Sequence, residues 1–189
     1  MRLCAAGFLV LAMIAPAAAA DTIADQAESA YSLYAGGLSQ EGFLTATYGL
    51  TLLKNISGNW VRLNGPDNKT GVETYGADTD KFCKSNARLT VAAPDSLTLT
   101  MTTNLPNGNF TLTYTLIAGS TFGEHTDAGP YLNALGLGLD KTGDNVDQQR
   151  ALLLSLANGL VQIYRPSEDI LVMTRDRGYP VVMARCPTT

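Results

Sequence analysis

The chain contains a single histidine in 189 residues, three cysteines, one tryptophan and no surplus of basic side chains. Each scarcity removes a class of function. One histidine cannot build a His-rich zinc centre, and two cysteines that pair with each other hold no metal either. Thirteen Lys and Arg against 17 Asp and Glu give a net charge of −4. The basic stripe that tracks a phosphate backbone is therefore missing, and nucleic acid is excluded as a partner. No G-x-S-x-G elbow occurs for a lipase-type serine. Gly136-Leu-Gly138 lacks the third glycine of a dinucleotide fingerprint, and Asp144 stands where a phosphate loop beginning at Gly138 requires lysine. Asp140, Asp144, Asn145 and Asp147 miss the EF-hand spacing, with Ala151 in place of the bidentate glutamate. No cofactor and no metal are expected.

What remains is a globular composition, 46% hydrophobic and 16% charged. Its mean hydropathy of +0.05 is too low for a polytopic membrane protein. The first twenty residues read as a leader. Arg2 opens it, an apolar run follows from Cys4 to Pro16, and Ala18-Ala19-Ala20 offers small side chains to signal peptidase. Residues 1–20 are thus expected to be a signal peptide and 21–189 one mature β-rich domain, periplasmic or secreted, with no membrane span. The mature chain keeps 12 basic and 17 acidic residues, a net charge of −5. It also keeps two cysteines, Cys83 and Cys186. An even pair in an oxidising compartment predicts a disulfide.

Thr22 to Ala35 reads as a helix, with Thr22 and Asp25 boxing its start and Ile23, Ala27, Tyr31 and Tyr34 on one stripe. Residues 43–54 fit helix or strand, and the alternation of Leu44, Ala46, Tyr48, Leu50 and Leu52 with Thr and Gly leans to strand. From Gly58 onward the pattern is β. Leu97, Leu99 and Met101 alternate with threonines, and Phe110, Leu112, Tyr114 and Leu116 repeat the alternation beyond Pro106-Asn107-Gly108. Asn-Gly between two such runs predicts a hairpin turn with positive φ at both central positions. Pro130–Leu135 reads as a short helix. Val146–Asn158 reads as a longer one, capped by Asp144 or Asn145, with Leu152, Leu153, Leu156 and Leu160 along one side and Gly159 at its end. Three β segments close the chain at 160–165, 170–175 and 180–186. The fold class is mainly β: an antiparallel barrel or sandwich with an N-terminal helix and a helical insertion before the last strands.

Gly58-Asn59-Trp60 resembles the G-x-W signature that opens the first strand of lipocalins and related calycin barrels. The mature length of about 169 residues, found by removing the leader, suits that family. The resemblance implies a barrel that holds a small apolar ligand, and an arginine from late in the chain packed over Trp60. Arg175 and Arg185 are both placed for that role. A cysteine after the first strands joined to one near the C-terminus is also similar to the disulfide of many lipocalins. The chain departs from the family where Ala-Gly-Pro separates Thr126-Asp127 from Tyr131, and where β segments follow the 146–158 helix.

The leading reading is a non-catalytic binding module whose ligand-lining candidates are Trp60, Leu97, Leu99, Met101, Phe110, Leu112, Tyr114 and Leu116, with Gly129–Gly159 over one mouth. A protein-recognition module is the alternative, for example an inhibitor of an envelope-attacking lysozyme or protease. It would present the polar segment Asn64–Asn86 to a basic target. Glu124-His125-Thr126-Asp127 is the one catalytic-looking constellation. Glu124, His125 and Asp127 are the candidates if the protein is a hydrolase, with the histidine as general base. The leader makes the first prediction: protein recovered from the envelope or medium begins at Asp21. N-terminal sequencing checks this, and a chain still starting at Met1 contradicts export.

Overall fold

A computed structural model describes residues 22–35 (side chains as far as residue 30), 48–63, 79–85, 88–143, 145–175 and 180–187. The leader and most of the 64–86 segment lie outside them, as do the side chains of Tyr31 and Tyr34. Eight antiparallel strands close into a barrel in simple sequence order. They are β1 (Gly58–Arg62), β2 (Leu89–Ala92), β3 (Thr98–Leu105), β4 (Gly108–Ala118), β5 (Thr121–Thr126), β6 (Gly159–Ser167), β7 (Ile170–Arg175) and β8 (Val181–Arg185). The first strand closes on the last, pairing Trp60 with Arg185 and Arg62 with Met183. Helices α1 (Ile23–Ala35), α2 (Tyr48–Leu52), α3 (Thr79–Cys83), α4 (Ala128–Ala134) and α5 (Val146–Leu156) complete the described chain. Among the described residues no helix is long and apolar enough to cross a membrane.

Alternation decides which side chains enter the barrel, because successive strand residues point to opposite faces. The β3–β4 register sets Leu99 opposite Tyr114, Met101 opposite Leu112 and Thr103 opposite Phe110, which gives the inner face. Thr98, Thr100 and Thr102 stand opposite Thr115, Thr113 and Thr111 on the outer face, with the Thr102 and Thr111 hydroxyls 2.9 Å apart. The turn joining them differs from the expected one. Leu105 pairs with Gly108, so the two-residue loop is Pro106-Asn107. Proline fixes φ near −65° and cannot supply the positive φ of a type I′ turn. The unusual backbone falls one residue later, at Gly108 with φ +138°.

Two other expectations need correction. The 43–54 segment is not a strand where it is described, since Tyr48–Leu52 is helix α2. Leu52 is buried but Leu50 is 46% exposed, so the alternation was not a face. The helix lies across one end of the barrel, and Gly49 fits so closely that an added Cβ would meet the Gly119 carbonyl oxygen at 2.7 Å. The second correction concerns Leu160, which belongs to β6 and not to the leucine side of α5, a helix that buries none of its residues. Leu152 and Leu156, and Leu160 on β6, are all more than half exposed. The strands already supply the barrel interior, and α5 is held by hydrogen bonds instead. Arg150 donates to the carbonyls of Leu137, Gly138 and Lys141 and pairs with Asp147. Asn145 occupies the N-cap without a side-chain bond. Asp144, the other cap candidate, lies outside the described residues.

The outer face of β7, β8 and β1 carries a second core. Ala27 and Ala30 of α1 pack with Val61, Val172, Val182 and Ala184. The start of α1 is boxed as its sequence suggests: the Thr22 N–H donates to Asp25 and the Asp25 N–H to the Thr22 hydroxyl. The Thr22 hydroxyl also donates to the Asp25 carboxylate at 2.7 Å, and this bond, then that from the Thr22 N–H, holds the Asp25 carboxyl below its usual pKa. Cys83, closing α3, bonds to Cys186 just beyond β8, across a sequence separation of 103. A loop of that size constrains the unfolded chain strongly. Reducing this bond, or replacing both cysteines by alanine, should lower unfolding free energy by about 2–5 kcal/mol. The urea midpoint of oxidised against reduced protein measures it; an unchanged midpoint contradicts the expectation.

Candidate functional site

The two ends of the barrel are built differently. At the α2 end the interior is filled. Trp60 is fully buried, its indole N–H donates to the Ile56 carbonyl at 3.0 Å, and the Arg185 guanidinium lies 4.8 Å from the ring centroid. The lipocalin resemblance implies such a cation–π contact from Arg175 or Arg185, and Arg185 makes it. Arg185 also donates to the carbonyls of Asn55, Ser57 and Glu168. Beside it, Arg165 donates to the Leu52, Lys54, Asn55 and Glu168 carbonyls, and its own N–H donates to the Tyr48 hydroxyl at 2.7 Å. Burial pushes the Tyr48 hydroxyl up to about 12. Leu99, Phe122, Ile163 and Leu171 fill the space above, all fully buried.

Toward the other end the filling stops. A cavity of about 620 Å³ remains, lined by Leu89, Met101, Phe110, Leu112, Tyr114, Met173, Val181 and Met183, with Thr103, Asn104, Leu105 and Pro106 at the end of the β3–β4 hairpin. That volume is in the range of small-molecule sites, which run to several hundred Å³ and are mostly apolar. Phe82 of α3 reaches the same cavity. On the hairpin side, Tyr131 of α4 meets Phe110 edge to face at 5.0 Å. Asp127 caps that helix by accepting from the Gly129 N–H.

A charged group is set into the apolar wall. Glu124 points inward from β5, with its side chain only 1% exposed. It accepts a hydrogen bond from the Tyr114 hydroxyl at 3.0 Å and a bidentate pair from Arg175, Nε to Oε2 at 2.7 Å and Nη2 to Oε1. This pairing raises the Arg175 pKa, and burial followed by the Glu124 charge drives the Tyr114 hydroxyl well above the usual phenol range. Arg175 and Arg62 both line the cavity. Arg62 is exposed by surface area, yet the wall around its stem desolvates it in part, and this, then the like charge of Arg175, lowers its pKa.

The eight proposed lining residues divide cleanly. Met101, Phe110, Leu112 and Tyr114 line the cavity. Trp60 and Leu99 are sealed into the filled half, Leu116 packs beside α2, and Leu97 is 48% exposed ahead of β3. The catalytic candidates are not gathered at one point. Glu124 faces the barrel interior, Asp127 caps α4, and the His125 ring bonds Asn158 at 3.0 Å on an exposed face. Sequence reading missed Arg62 and the role of Arg175. Counting by twos from Trp60 places Arg62 on the inner face, so that signal was available.

No family model matches the chain, and neither a curated protein nor a solved structure does. The Arg175–Glu124 pair yields a prediction of its own. Glu124→Gln keeps an acceptor for Tyr114 but leaves a partly buried guanidinium uncompensated. It should destabilise the fold by about 2–3 kcal/mol, toward the low end for buried pairs because Arg175 is 35% exposed. Chemical denaturation of both proteins measures this, and a difference below about 0.5 kcal/mol contradicts it.

Proposed function

We propose that this chain is a non-catalytic binding module that holds one small, largely apolar ligand in the unfilled half of its barrel. The observation that carries the reading is the cavity itself. Eight-stranded barrels are just wide enough for side chains to fill or for one small ligand to occupy. Here one half is filled and the other keeps about 620 Å³ among apolar side chains. Its polar lining residues are few, Arg62, Thr103, Asn104, Tyr114 and Arg175, and Glu124 holds the last two in place, as expected of a site that orients its occupant.

The resemblance of Gly58-Asn59-Trp60 to the lipocalin signature supports the same reading. The filled end, with Arg185 stacked on Trp60, suits a barrel that opens at its opposite end. Export belongs to the proposal as well. A Cys83–Cys186 bond persists in an oxidising compartment, which fits the leader and a periplasmic or secreted site of action.

Organic extraction of protein purified from its native compartment, followed by mass spectrometry, should release a small apolar molecule in near-stoichiometric amount. Leu112→Trp narrows the cavity from its wall and should reduce uptake of an apolar fluorescent probe about tenfold while the fold persists. A protein that carries nothing and takes up no apolar probe overturns the proposal.

A further inference from the structure

The charges around the cavity do not balance. Glu124 accepts both hydrogen bonds from Arg175, so that positive charge is compensated within the wall. Arg62 lines the same cavity from β1, and among the described residues no carboxylate pairs with it. Among the described residues the site therefore carries one uncompensated guanidinium beside a large apolar volume. Thr103, on the inner face of β3, adds a hydroxyl to the cavity wall.

A guanidinium is the side chain best shaped to hold a planar anion through two parallel N–H donors. Arg62 keeps much of its surface in water while lining the cavity, so it offers these donors where the apolar volume meets solvent. We propose that the ligand is an amphiphile with a single carboxylate head, its apolar chain among Met101, Leu112, Met173 and Met183 and its carboxylate on Arg62. This rests on the reading of the cavity as a ligand site and adds the ligand's charge and orientation. One uncompensated cation matches a monoanion. A phosphate monoester brings nearly two negative charges and leaves one unmet. Three methionines among the lining residues suit a flexible chain, since unbranched thioethers adapt to irregular shapes.

The test compares cis-parinaric acid with its methyl ester, which share a fluorescent chain and differ in charge. Both are titrated into the oxidised mature protein and its Arg62→Met and Arg62→Gln variants. The acid should bind the unmodified protein at least about tenfold more tightly than the ester, the advantage should vanish in both variants, and ester binding should be little changed. A variant enters the comparison once its melting temperature matches the parent, and two replacements guard against one misfolding. Equal binding of acid and ester overturns the head-group assignment and leaves the ligand-binding barrel standing. An acid preference that survives in both variants overturns the role of Arg62. Failure of both probes to bind overturns the cavity reading and this inference together. A lysophospholipid with one phosphodiester serves as competitor, and displacement of the acid more effective than by palmitate overturns the choice of carboxylate.

Discussion

Closure of the first strand on the last is the constraint on which the rest of this molecule depends. Trp60 and Arg185 are register partners across that seam. The inward indole meets the guanidinium, which in turn donates to carbonyls before β1 and in the β6–β7 turn. A single side chain thus ties both ends of the barrel's chain to the turn between β6 and β7. The next residue, Cys186, is covalently joined to α3 and donates its backbone N–H to the Asn59 carbonyl. The barrel seam is held by ladder bonds, a cation–π contact and a disulfide within a few residues. A sheet closed in this way has no edge strand left to recruit another chain.

Closure also explains why a void can persist. The width of a barrel follows from strand number and tilt, which the backbone ladder sets. In an ordinary layered core, undersized side chains let the layers approach until contact is restored. A closed wall resists that approach. Trp60, Leu99, Phe122, Ile163 and Leu171 fill one half, with α2 across its end. The other half is given Thr103, Val181 and three methionines at similar wall spacing, and about 620 Å³ is left over. The choice of side chains on a fixed wall makes the cavity.

Much of this was legible from the residues, and the misses share a cause. Strict alternation in 97–103 and 110–116 was enough to place β3 and β4 and to separate their threonine face from their apolar face. Short apolar runs bounded by turn residues marked β6, β7 and β8 to within a residue or two. The alternation from Leu44 to Leu52 misled because Tyr48–Leu52 takes its conformation from the barrel end it covers, through Gly49 against the Gly119 carbonyl and Tyr48 beneath the Arg165 N–H. Tertiary packing overrode local pattern there. The leucines of α5 do form a one-sided stripe, yet that helix is held through Arg150 and backbone carbonyls. Helical spacing predicts a face and says nothing about whether anything covers it. The cavity group was readable in part. Glu124, Tyr114 and Arg175 were each singled out, but for separate roles, because only the β4–β5 register brings the first two together.

That group also bears on what the barrel is for. A buried guanidinium–carboxylate pair is seldom the most stable way to fill space, since desolvating both charges offsets most of their attraction and an apolar pair of equal volume does as well or better. Selection for stability alone would favour aliphatic side chains at 124 and 175, like those in the filled half. Instead the wall beside the void carries an acid with both oxygens engaged, a phenol held in its neutral form and an arginine whose charge is met. The acid is therefore unavailable to attract a cation from solution. The wall is thus neutral at Glu124–Arg175 and positive at Arg62. Among the described residues one arginine of the wall is compensated and the other is not, and that difference gives the cavity a polarity along its wall.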